Sequence, residues 1–149
     1  MISLSSAWEI SKGNGPEGFR AAGVMSFAGA IMSDSGVPAY PTEPCPHLLI
    51  HGTSDGAVFY EKKAFGNWGV YGSSALAKVF EKNNYPYCIY RYKDFSHAMS
   101  ANFVANWPEE KRFLEENVLK GVRRSVDALV DDPSMPKLFS VSLDDIYKK

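Results

Sequence analysis

The segment that decides the fold is LLIHGTSDGAVF, residues Leu48–Phe59. It begins with an apolar run that is typical of a buried strand and that ends at Gly52. By its glycines, the segment fits the G-x-S-x-G pattern, in which Ser54 would be the nucleophile of a serine hydrolase. By its other residues, it is a strand followed by H-G-x-x-D, a loop that presents the carboxylate of Asp55.

The residues after Ser54 favour the second interpretation. A nucleophile elbow is a sharp turn between a strand and a helix that starts at once. Here Gly56 and the β-branched Val58 stand where the first helical turn would be. Only one strand is predicted between Ser54 and His97, so no separate strand would supply an acid. We therefore interpret Asp55, and not Ser54, as the functional residue of the segment.

The composition limits the classes of protein that the chain fits. It has 149 residues, 45% of them hydrophobic, and a net charge of −1, which suits one domain with a core and does not favour a nucleic-acid binder. No apolar run approaches the ~20 residues that span a bilayer. No signal peptide is recognised after Met1, and the compartment stays open. Cys45 and Cys88 fit no disulfide scaffold or metal pattern, and we expect two buried thiols and neither metal nor cofactor.

Three strands are predicted, separated by other elements. The apolar run GVMSFAGAI, residues 23–31, is predicted to be a buried strand, HLLIHG (47–52) the second, and YPYCIYRYKD (85–94) the third. The glycine-rich stretch FGNWGVYGSS, which contains Trp68 and Tyr71, is predicted to be a loop.

Two helices complete the pattern. The stretch 72–84 is predicted to be a helix that Ser73 or Ser74 caps and that Asn83 and Asn84 end. A last helix is predicted to begin at Pro108, because proline and the two following glutamates suit a first helical turn. Its apolar residues recur every four positions: Leu114, Val118, Val122 and Val126.

Alternating strands and helices predict parallel pairing, hence an α/β sheet covered on both faces. Ligands of such sheets lie beyond the carboxyl ends of the strands. Asp55 follows the second strand and His97 follows the third. Neighbouring strands lie ~5 Å apart, so we expect the two side chains to meet as an acid–base pair.

These segments together resemble the carboxyl-terminal half of an α/β-hydrolase of the carboxylesterase and lipase-like branch, with feruloyl-esterase and prolyl oligopeptidase-type relatives. The resemblance lies in HLLIHGTSDGAVFY, GSSALAKVFEKNNYPYCIYRY and FSHAM. It implies that Asp55 is the acid and His97 the histidine of a catalytic triad. It also implies a doubly wound, mostly parallel sheet, of which about three strands are present. The glycine that the family usually has before the histidine is Ser96 here.

The nucleophile that the resemblance implies has no clear place in this chain. Ser6, in LSSAW, stands where the family has G-S-S-A-G, but Leu4 and Trp8 replace both glycines. Alternatively, residues 1–12 form the helix that follows the elbow, and the serine lies upstream of Met1. We favour the helix and expect the chain to be a fragment without its nucleophile elbow and oxyanion hole.

Three hypotheses therefore remain open. The first is a serine hydrolase that acts on small carboxylic esters, with residues 1–130 as a partial hydrolase domain and 131–149 as an extension or arm. The second is a catalytically inactive α/β-hydrolase-like binding module. The third is an unrelated small α/β binding domain. Because strand 23–31 would lack a neighbour on its upstream side, we also expect self-association through an exposed sheet edge.

Overall fold

The computed structural model describes residues 2–102 and 104–135. The helices are α1 (Ile2–Ser11), α2 (Ser73–Lys82) and α3 (Trp107–Arg112), and α3 continues as a π-helical segment, Phe113–Leu119. The strands are β1 (Val24–Phe27), β2 (Ala30–Ser33), β3 (His47–Gly52), β4 (Lys62–Phe65), β5 (Trp68–Gly72), β6 (Cys88–Tyr92) and β7 (Val126–Val130). Two 3₁₀ turns cover His97–Ala101 and Val104–Asn106.

The strands form a four-stranded parallel sheet and a separate three-stranded antiparallel sheet. The parallel sheet has the order β1-β3-β6-β7, and the antiparallel sheet has the order β2-β5-β4. The architecture is therefore α/β, as predicted from the alternation of elements. All six residues of β3 are buried, which agrees with its position inside the parallel sheet.

Both faces of the parallel sheet are covered. On one face, Leu49 of β3 and Ile89 of β6 pack against α1 and α2. On the other face, Leu48 and Ile50 pack with residues of the 3₁₀ turn at His97 and of the π-helical segment. This alternation along β3 follows from the two-residue repeat of a strand. It also places His51 on the same face as Leu49, towards α2.

The predicted strand at 23–31 is two strands in two different sheets. Ala28 lies between β1 and β2 and has a φ of 50°, which breaks the extended run. At Gly29 a β-carbon would lie 2.2 Å from the Ser26 hydroxyl oxygen, so any larger residue would have to displace that side chain. The chain therefore leaves the parallel sheet after Phe27 and pairs with β5 instead.

The prediction of a loop for FGNWGVYGSS is also wrong, because this segment contains strand structure. Trp68 and Tyr71 lie in β5, which forms a hairpin with β4 through the two-residue turn Gly66-Asn67. Gly66 has a φ of 59°, as hairpin turns of this length require. The rings of Phe65 and Trp68 stack at the tip of this hairpin.

The last predicted helix is correct at its start and wrong at its end. It begins at Trp107, beside Pro108, but helical structure ends at Leu119. Gly121, with a φ of 64°, then turns the chain. Val126 begins β7, a fourth parallel strand beside β6, so the expected count of about three strands is too low.

The predicted cap of α2 is wrong, and its predicted end is correct. Neither serine caps α2: Gly72 is the N-cap residue, and both hydroxyls bind side chains elsewhere. The end of α2 at Asn83 is as predicted. Residues 136–149 lie outside the described residues, so an arm at 131–149 stays a prediction.

Candidate active site

The two predicted site residues meet beyond the carboxyl ends of two neighbouring strands of the parallel sheet. Gly52 and Tyr92, the last residues of β3 and β6, are register partners. Asp55 follows in the loop after β3, and His97 begins the 3₁₀ turn after β6. Oδ2 of Asp55 lies 2.8 Å from Nδ1 of His97. The proximity that strand order predicted is therefore present.

The two loops are joined directly through their backbones. The amide of Thr53 donates to the carbonyl of Tyr92 at 2.9 Å, and the amide of Ser54 donates to the carbonyl of Phe95 at 3.0 Å. The contact requires a glycine at position 52, where a β-carbon would lie 2.2 Å from the Phe95 carbonyl oxygen. Gly52 therefore allows the loop that carries His97 to lie against the end of β3.

The Asp55 carboxylate is surrounded by hydrogen-bond donors. Its Oδ1 accepts from the amides of Ala57 and Val58, each at 2.9 Å. Its Oδ2 accepts from His97 and from Nε2 of His51, which is 3.1 Å away. Burial raises the pKa of Asp55, but the hydrogen bonds from His51, Val58 and His97 outweigh it, so the pKa lies below its usual value. The group is therefore a carboxylate at neutral pH.

The ring of His97 is bound to Asp55 on one side and is partly exposed to solvent. Because Nδ1 lies against a carboxylate, it carries the proton, and Nε2 of the neutral ring is a proton acceptor. The side chain is 34% exposed, and Nε2 makes no hydrogen bond within the part of the chain that the structure describes. The ring is thus oriented to accept a proton from a group that approaches from solvent.

Ser54 does not lie on a nucleophile elbow. The residue is exposed, and the chain after it continues through turns to β4 without starting a helix. Its backbone amide joins it to the loop of His97. Ser54 therefore has the position of a spacer between Gly52 and Asp55.

Ser6 lies inside a helix. It is the fifth residue of α1 and is exposed, whereas Leu4, Ala7 and Trp8 of the same helix are buried. This agrees with the helical interpretation of residues 1–12. A strand-turn-helix elbow is not formed at Ser6, because Ile2–Ser11 is one continuous helix.

A histidine lies directly behind Asp55, together with a serine that sequence reasoning assigned only to a helix cap. The hydroxyl oxygen of Ser73 is 2.8 Å from Nδ1 of His51, whose Nε2 contacts Asp55. The order Ser73–His51–Asp55 has the connectivity of a triad, but both Ser73 and His51 are fully buried, so substrate has no access. The sequence signal for this contact is the glycine-serine helix start at Gly72-Ser73, which permits close approach to the acid loop.

A cleft elsewhere on the described part of the chain is separate from this pair. A cleft of about 600 Å³ lies at the amino ends of the strands, opposite to Asp55 and His97, and is lined by α1 and by residues 19–21 and 42–45. Among residues 2–102 and 104–135, no three His, Cys, Asp or Glu side chains are grouped to hold a metal ion. Over the same ranges, no helix has the length and apolar character to cross a membrane.

Comparison with protein-family models, with curated proteins and with solved structures gave no match.

Proposed function

We propose that the chain carries the acid and histidine of a serine hydrolase of the α/β-hydrolase type that acts on carboxylic esters. The observation that supports this proposal is the Asp55–His97 contact, with Nδ1 bound and the His97 side chain partly exposed to solvent. A nucleophilic serine would come from a part of the protein outside the described residues, because Ser6 and Ser54 do not lie on an elbow.

In this proposal His97 is the general base and then the general acid. Nε2 accepts the serine proton as the serine oxygen bonds to the ester carbonyl carbon, and it returns the proton to the departing alcohol. Water then attacks the acyl-enzyme by the same proton path and releases the carboxylic acid. Asp55 stays ionised throughout, holds the ring by Nδ1 and stabilises the imidazolium that forms.

The 149-residue chain by itself tests one half of the proposal. We expect it to hydrolyse a short-chain nitrophenyl ester no faster than its His97→Ala variant, because acid and base without a nucleophile provide no covalent step. The assay includes Ser6→Ala. Turnover well above His97→Ala that Ser6→Ala abolishes would contradict the placement of the nucleophile outside the described residues and make Ser6 the nucleophile.

The second half uses the chain joined to the coding sequence upstream of Met1. In that protein, Asp55→Asn is expected to lower kcat by up to ~10⁴-fold, as loss of the acid does in a serine protease triad. Ser54→Ala, the neighbouring control, is expected to stay within a few-fold. Equal losses from the two substitutions, or no ester turnover in the longer protein, would contradict the proposal and favour a binding module.

A further inference from the structure

A buried histidine, His51, lies behind Asp55 and contacts the same carboxylate oxygen as His97. His51 is the penultimate residue of β3, and its side chain is not exposed to solvent. Its Nε2 lies 3.1 Å from Oδ2 of Asp55 and 3.1 Å from the carbonyl oxygen of Val58. Its Nδ1 lies 2.8 Å from the hydroxyl oxygen of Ser73 at the start of α2.

These partners assign the tautomer of His51. Both groups at Nε2 are acceptors only, so Nε2 carries a proton. In the neutral ring Nδ1 is then an acceptor, and the Ser73 hydroxyl is its donor. Hydrogen bonds therefore run in one direction, from Ser73 to His51 and from His51 to Asp55.

The consequence is that Oδ2 of Asp55 accepts from two imidazoles. His97 donates to it from Nδ1 at 2.8 Å, and His51 donates from Nε2 at 3.1 Å. Each donor withdraws charge from the oxygen that the other uses, so the bond to His51 weakens Oδ2 as an acceptor for His97. The amides at Oδ1 hold the other oxygen, so the carboxylate cannot rotate away without losing bonds.

We propose that His51 is a positioning residue: its Nε2–H, held in orientation by Ser73, fixes the Asp55 carboxylate and shares Oδ2 with His97, and so sets the strength of the hydrogen bond between the acid and His97. The inference rests on the proposed function, because it describes how the acid of that site acts on the histidine. His51 touches no substrate in this arrangement, since its ring is buried and both nitrogens are bound within the fold.

The other groups around His51 carry little uncompensated charge. From β6, its register partner Arg91 is held by Asp127 of β7 at 2.5 and 2.7 Å and by the hydroxyl of Tyr60. The Tyr60 ring meets the His51 ring edge-on. From α2, the group that meets His51 is the neutral hydroxyl of Ser73. The charged group with which His51 mainly interacts is therefore the Asp55 carboxylate.

The test is an NMR titration of the imidazole nitrogens in the 149-residue chain, which needs no ester turnover. In His51→Phe the donor to Oδ2 is lost, and the midpoint of the His97 titration is expected to move up by about 0.5–1 pH unit. His51→Gln places an amide N–H near the position of Nε2 and is expected to restore the midpoint to within about 0.2 unit. Ser73→Ala leaves the ring and the acceptors at Nε2 but removes the donor that holds Nδ1 in place, and a smaller upward shift is expected.

The outcomes separate the two proposals. Asp55→Asn removes the anion and is expected to move the His97 midpoint down; if it does not, the acid–histidine pair and the proposed function both fail. If Asp55→Asn shifts the midpoint and His51→Phe leaves it unchanged or lowers it, the inference about His51 alone is overturned. Should His51→Phe fail to fold, Ser73→Ala decides, and a midpoint equal to that of the unsubstituted chain overturns the inference.

Discussion

Gly52 is a position at which both the fold and the candidate site leave no room for a side chain. A β-carbon there would lie 2.2 Å from the carbonyl oxygen and 2.6 Å from the carbonyl carbon of Phe95. Both are backbone atoms, which cannot move aside as a side chain can. Gly52→Ala is therefore expected to separate the loops of Asp55 and His97 and to lower the free energy of unfolding by about 1–3 kcal/mol, the usual cost of overpacking. Urea denaturation measures it.

The control for Gly52→Ala is Gly56→Ala in the same loop. No heavy atom lies within 4 Å of a β-carbon at position 56, and its φ is not positive. That substitution is expected to change the free energy of unfolding by less than about 0.5 kcal/mol, as surface changes usually do. Equal losses at positions 52 and 56 would mean that the close approach of Phe95 does not limit stability.

His47 gives the protein a pH dependence that is unrelated to the candidate site. Its ring is buried against Phe80 and Tyr40, and burial lowers its pKa to about 4. Between pH 6.5 and 4 the unfolded chain binds a proton at this residue and the folded chain does not, so stability rises with pH in this window. The free energy of unfolding is expected to fall by up to ~1.4 kcal/mol per pH unit on acidification from 6.5 towards 4.

The His47→Phe variant isolates this effect. Its unfolding free energy, measured by denaturant titration at several pH values, is expected to show a shallower slope between pH 6.5 and 4 than that of the unsubstituted chain. Asp55 contributes in a different window, because its lowered pKa gives stability that is lost only below the usual carboxyl range. Identical slopes in the two proteins would contradict the assignment of the slope to His47.

At the scale of single residues, the sequence predicted the contact between Asp55 and His97 but not the contact of Ser73 with His51 behind the acid. The contact follows from strand order, which a hydrophobic pattern reveals. The bonds of His51 depend on where Ser73 enters α2 beside the acid loop, a distance of 22 positions along the chain. Local capping rules assigned Ser73 to its own helix, because tertiary contacts of this kind have no periodic signal.

At the scale of elements, α2 has the most clearly defined ending. The amide of Tyr85 donates to the carbonyl of Phe80 and the amide of Asn84 donates to the carbonyl of Glu81, which is a Schellman motif. Asn84 has a φ of 55° there. Asn84→Gly is expected to raise the free energy of unfolding by up to about 1 kcal/mol, and Asn84→Ala to lower it by a similar amount. Thermal and denaturant unfolding compare the two, and a reversed order would contradict the motif.

Elements were predicted well where one pattern extends over a whole segment. β3 and α2 have uniform apolar or helical periodicity, and both were found. The β4–β5 hairpin was missed because Gly66-Asn67 was taken as part of a loop, although KKAF and WGVY flank a two-residue turn. β7 was missed because Val122 and Val126 continue a four-residue spacing by coincidence, while Gly121 ends the helical region.

At the scale of the whole molecule, the parallel sheet has two open edges among the described residues. β1 pairs with β3 and β7 pairs with β6, and neither has a second neighbour there. The amide of Val24 donates to the carbonyl of Pro46, just before β3, and the amide of Ala28 donates to that of Ile50 in β3. By strand alternation, the N–H groups of Met25 and Phe27 therefore point away from the sheet. A parallel edge with outward N–H groups and apolar side chains can pair with a second chain.

The 149-residue chain is therefore expected to self-associate through β1 in a concentration-dependent way, measured by sedimentation. Met25→Pro removes the outward donor without touching the bonds to β3 and is expected to shift the chain towards the monomer. Met25→Ala removes the same side chain but keeps the N–H group, so it separates edge pairing from loss of apolar surface.

Leu129→Pro makes the equivalent change on β7, whose outward positions include Asp127, which is paired with Arg91. Association that survives Met25→Pro but not Leu129→Pro would assign the contact to β7, and a monomer at all concentrations would contradict edge pairing altogether.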